Sequence, residues 1–118
     1  MMKGSLGDCD LLISLVDNLK DEEHDELDGR ARKRHKVQIV EIELDSGLDG
    51  RSLLNTLMHE ILHVCESVYG WSARHEVVWL LAAGLSQALI TTGIIDPTEL
   101  EARIRVLTAK PEDLKEPE

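Results

Sequence analysis

The chain has 118 residues, 42% of them hydrophobic, and a formal net charge of −10. That length suits one small domain around a single core, and the acidity excludes a broad nucleic-acid-binding face, which needs clustered positive charge. With no Phe, one Tyr and two Trp, the core has to be built from Leu, Val, Ile and Ala.

The chain opens with MMKGSLGDCDLLISLV. Asp8 and Asp10 precede its apolar run and no cleavage site follows, so it does not read as a secretory signal. No apolar run reaches the length of a membrane span; VVWLLAAGL (77–85) is too short. A soluble, cytoplasmic protein is expected. Cys9 and Cys65 lie far apart and form no C-x-x-C knuckle, which points to free thiols rather than a disulfide framework. Within residues 9–19, Leu11 to Val16 include β-branched members and show no helical stripe, so a buried strand is expected rather than a short helix.

Residues 21–36, DEEHDELDGRARKRHK, join an acidic block to a basic one across the turn signal Asp28-Gly29. The basic cluster 30–36 reads as a solvated hairpin loop balanced by its acidic neighbour; the competing reading is a contact for nucleic acid or an acidic partner. His24 and His35 read as surface residues. KVQIVEIEL (36–44) reads as a strand, with Val40, Ile42 and Leu44 on one face and Glu41 and Glu43 on the other. Val37 and Ile39 break this pattern by falling on the Glu face.

A turn at 45–50 ends in Asp49, a cap for a helix over about 51–69 that stops at Gly70. A second helix is expected over about 73–92, with Ser72 as its cap and Gly93 as its stop. It is apolar almost all round, from Val77 to Ile90, which predicts heavy burial. Trp71 and Trp79 read as core or interhelix packing. Asp96, Pro97 and Glu99 mark the start of a third helix over about 97–109, with Leu100, Ile104 and Leu107 on one stripe. The tail KPEDLKEPE (110–118) is charged and contains Pro, as in a frayed end.

The first helix contains His59-Glu60-Ile61-Leu62-His63, the H-E-x-x-H pattern. The pattern arises by chance in roughly one of fifty shuffles of this composition, so its surroundings must decide. His59 and His63 stand one turn apart and point the same way, as two ligands of one zinc ion require. Glu60, about 100° around the helix, then reaches a water on the metal and serves as general base and acid. Leu53, Leu54, Leu57, Met58, Ile61, Leu62 and Val64 surround the motif, and burying two His and a Glu among them is costly without a partner.

A zinc hydrolase usually takes three protein ligands. The third is sought nearby, because Glu66 and Tyr69 stand where a longer His motif needs Gly and His. Glu76, which opens the second helix above apolar Leu80 and Ala83, is the expected ligand. Glu66, on the same face as His59, and His75 are the alternatives. Glu66 also suits a partner of His63. Tyr69 and Arg74 are candidate oxyanion donors, though Tyr69 also suits packing at the helix end. Cys65 points away from the site.

The stretch LLNTLMHEILHVCESVYG, followed by HEVVWLLAAGLSQAL, resembles the small phage and bacterial zincin-like metallopeptidases, related in pattern to the ImmA/IrrE group and the SprT-like domains. The resemblance spans about residues 36–91: a strand, the H-E-x-x-H helix and a Glu-headed helix. In ImmA/IrrE-like proteins the third ligand is a Glu opening the following helix, and Glu76 stands at that position. The resemblance thus implies a Zn²⁺ site of His59, His63 and Glu76, with Glu60 acting on peptide bonds. It also implies a cytoplasmic protein of phage or mobile-element origin. The link from His63 to Glu76 is short, thirteen positions, as in a pared-down version.

The expected fold is α+β: a two- or three-stranded sheet packed on the H-E-x-x-H helix plus two further helices, one domain over 1–109 and a tail over 110–118. The expected function is zinc-dependent hydrolysis of a peptide or protein substrate, with the sheet edge pairing an extended peptide. The alternative is a non-catalytic, metal-stabilised regulatory or protein-interaction module, in which Glu66 or His75 closes the site. A nucleic-acid role through 30–36 ranks last.

Overall fold

The structure, a computed structural model, describes residues 1–21, 23, 26–34 and 38–109, with backbone alone for 33 and 34. The expectations for His24, His35 and the tail fall outside the described residues. Four strands come first: β1 (Met2–Leu6), β2 (Cys9–Val16), β3 (Gly29–Arg34) and β4 (Ile39–Asp45). Three helices follow: α1 (Gly50–Tyr69), α2 (His75–Thr91) and α3 (Pro97–Thr108). The class is α+β as expected, but the sheet has four strands rather than two or three.

Sheet order is β1-β2-β4-β3. β1 and β3 pair antiparallel with their neighbours, and β2 runs parallel to β4. The alternation read from residues 40–44 holds: Val40, Ile42 and Leu44 are buried and the residues between them are half-buried. Parallel register sets Leu11, Ile13 and Leu15 beside them on the same face. Leu53 and Val64 of α1 and Ile104 of α3 close this core.

The two strands missing from the sequence reading lack an apolar rhythm. β1 forms by hairpin closure onto β2 through Gly7, whose φ of 58° favours a residue without a side chain. β3 takes in residues 30–34 of the basic cluster, expected as a loop. Its Ala31 stands opposite Ile42 on the core face, and Arg30 stands opposite Glu43 on the outer face. Glu43 accepts from Arg30 Nε at 2.7 Å and from an Arg32 guanidinium nitrogen at 2.8 Å. Burial alone would raise the Glu43 pKa. The Arg30 hydrogen bond and the charges of both arginines outweigh it and hold the carboxyl below its usual range. Cross-strand charge pairing here replaces apolar alternation as the reason for a strand.

The helix ends follow their caps. The Asp49 side chain accepts from Ser52 N–H at 2.8 Å, and Gly70, at φ 71°, ends α1. Asp96 accepts from the N–H groups of Thr98 and Glu99, with Pro97 in the first turn of α3. Ser72 caps nothing: α2 starts at His75 after Arg74, which makes no side-chain capping bond. The starts of α1 and α3 touch at Gly50, where an added Cβ would stand 1.9 Å from the Pro97 carbonyl oxygen. Backbone atoms cannot yield as a side chain can, so Gly50→Ala is expected to destabilise the fold by about 1–3 kcal/mol. A urea titration reads this as a lower midpoint at unchanged slope.

The burial expected for α2 is overturned. Only Val78, Ala82 and Ser86 are buried, whereas Val77, Leu80, Leu81 and Leu85 are exposed. Trp71 and Trp79 are exposed too, at 40% and 59%. The helix packs on α1 and meets no other element to any comparable extent among the described residues. Its one-sided packing explains the exposure: an apolar helix is buried only where a neighbour exists to cover it. No helix in the described residues is long and apolar enough to cross a membrane.

Candidate metal centre

The H-E-x-x-H spacing works on α1 as helix geometry requires. His59 and His63, one turn apart, bring their Nε2 atoms to 3.0 Å. Gly70 then turns the chain back and the short 71–74 link delivers His75, the first residue of α2, to the same place. The ring of His75 lies 4.9 Å from that of His59 and 5.1 Å from that of His63, centre to centre. One ligand atom from each of the three His lies within 4.8 Å of the others, close enough to hold a metal ion.

The third member of this group is His75; Glu76 is not in it. On α2, residues 75, 78, 82 and 86 share one stripe, and Val78, Ala82 and Ser86 are the residues buried against α1. Glu76 sits about 100° away, on the stripe of Leu80, which is 65% exposed. Its side chain is 70% exposed and pairs with Arg74 at 3.4 Å. The inference that apolar neighbours at 80 and 83 mark a buried stripe fails because that side of α2 faces water.

Glu66 ties two parts of the site together. One carboxylate oxygen lies 3.1 Å from His63 Nδ1, and the other accepts from Ala73 N–H at 3.3 Å. A carboxylate at Nδ1 leaves Nε2 as the ring nitrogen His63 can offer to a metal, the arrangement of a metal-ligating histidine. His59 has no such support: among the described residues, its Nδ1 is buried without a hydrogen-bond partner. Burial lowers the His59 pKa, and the charges of His63 and His75 lower it further. Both effects favour the neutral imidazole that a metal needs.

Imidazole nitrogens are donors that zinc and other divalent metals accept; the His59–His63 pair, 3.0 Å apart, is near the ~3.3 Å of two nitrogens on one tetrahedral zinc, and the three together lie within 4.8 Å. Glu60 lies beside this group. A cleft of ≈ 210 Å³ is lined by His59, Glu60, His75, Trp79, Asn55 and the Asp28-Gly29 start of β3. Burial raises the Glu60 pKa and the charge of His63 partly offsets it, which moves the carboxyl toward the range of a general base.

Other candidates fall outside the cleft. Tyr69 lies at the end of α1 over Gly7, and Arg74 points into solvent. Cys9 and Cys65 are free thiols, and burial raises the pKa of Cys65. The role of Trp79 in lining the cleft was missed, because an apolar helix offers no reason to single it out. No protein-family model matches the chain, and neither the curated proteins nor the solved structures contain a match.

Proposed function

We propose that the chain is a zinc-dependent metallopeptidase in which His59, His63 and His75 hold the ion and Glu60 is the general base and acid. The observation that carries this reading is the convergence of three histidine rings with a half-buried Glu60 in one cleft. Zinc, when bound there, supplies Lewis acidity and brings the pKa of a water to about 7. Glu60 accepts the proton of the attacking water at its carboxylate and delivers it to the nitrogen of the leaving amine. Its raised proton affinity serves both transfers. Glu66 holds His63 and the link that carries His75, so the ring positions depend on it.

The edge strand β3 supports a peptide substrate. It ends the sheet order, and its first residue lines the cleft. An extended peptide added along this edge would pair through its backbone and run past Glu60. A cytoplasmic setting, expected from the sequence, remains part of the same reading.

Protein purified without chelator is expected to carry one zinc per chain. Chelation should abolish cleavage of a denatured protein substrate, and added zinc should restore it. Protein that neither retains nor takes up zinc would sink the proposal.

A further inference from the structure

We propose that the exposed face of α2 is the interface of a two-fold symmetric dimer of this chain. Flanking the contact with α1, the residues Val77, Leu80, Leu81, Gly84, Leu85 and Ala88 recur at the spacing of a helix-packing stripe, and all are exposed. They leave on the order of 400 Å² of apolar side chain in water, the size of the largest patch on an ordinary monomer. That is about half of the ~800 Å² each partner gives to a standard interface.

Two observations select a second copy as the occupant. First, no ionisable side chain occurs between Glu76 and Asp96 in a chain of net charge −10. Two copies repel over most of their surface, and this stripe lets them meet without opposing like charges. Second, the stripe is self-complementary. An added Cβ at Gly84 meets nothing within 4 Å, and Ala88 follows one turn later. In an antiparallel pair these small residues receive Leu81 and Leu85 of the partner, and an isologous contact requires that kind of match.

The dimer would also bear on the cleft. α2 begins at His75 and is held by α1 from one side only. A partner helix on the other side would restrain it. This inference stands on α2 alone and does not rest on the proposed chemistry.

Sedimentation velocity and light scattering on the full chain test it. At tens of micromolar the expected mass is twice the 13.2 kDa of one chain. Leu81→Glu should raise the dimer dissociation constant at least tenfold with an unchanged far-UV circular dichroism spectrum. Gly84→Gln is the sharper probe. The open space around Gly84 admits the side chain, and Gln is the better helix former, so the monomer should melt no lower than the parent. Dimerisation should nonetheless weaken at least tenfold. A parent chain that stays monomeric at hundreds of micromolar would overturn the proposal. So would a dimer indifferent to both substitutions.

Discussion

His75→Ala is expected to weaken zinc binding by more than about 100-fold, whereas Glu76→Ala should leave it within about twofold, since loss of a direct ligand must exceed the 10–100-fold typical of supporting partners. Competition with a chromophoric chelator measures both. The contrast rests on which side of α2 faces α1. His75 shares the stripe of buried Val78, Ala82 and Ser86, and Glu76 shares that of exposed Leu80. The reverse result, zinc lost with Glu76 and kept without His75, would return the site to the His₂Glu set that the resemblance implies. It would require α2 to rotate by about one residue, roughly 100°, relative to the arrangement described here.

Glu60→Gln should keep zinc at the parent level and slow peptide hydrolysis by about 10²–10⁴-fold, the usual worth of a positioned general base. The amide matches the carboxylate in shape, so the cleft shared with His59 and His75 stays filled. It cannot accept a proton. Single-turnover cleavage and metal content, measured on one preparation, separate the two effects. Retained cleavage in the variant would remove Glu60 from the mechanism, and loss of zinc together with cleavage would assign it a structural role.

Several features could be read directly from residue order. The strand at 40–44, the caps Asp49 and Asp96 and the stop at Gly70 depend on neighbours only a few positions away. Local spacing and backbone conformation decide them. The pairing of His59 with His63 belongs with these, because one helical turn separates them whatever else the chain does.

The basic cluster was harder. Arg30 and Arg32 become strand residues because Glu43 lies across from them, and no pattern inside 30–36 announces that partner. The second helix was harder still. Apolar residues on every side give the sequence no preferred face, so its rotation could not be deduced from hydrophobicity. A weaker signal was present: Val78, Ala82 and Ser86, set one turn apart, are smaller than the Leu residues around them and allow close approach to α1. His75 lies on that stripe.

By itself the sequence determined the α+β class, the three helices and the two adjacent histidines of the site, since short-range periodicity and capping chemistry control each. Only the tertiary structure decided the charge pairing of β3, the third histidine and the exposure of α2. Those depend on contacts between segments far apart in the chain, and an apolar residue is buried only if another element comes to cover it.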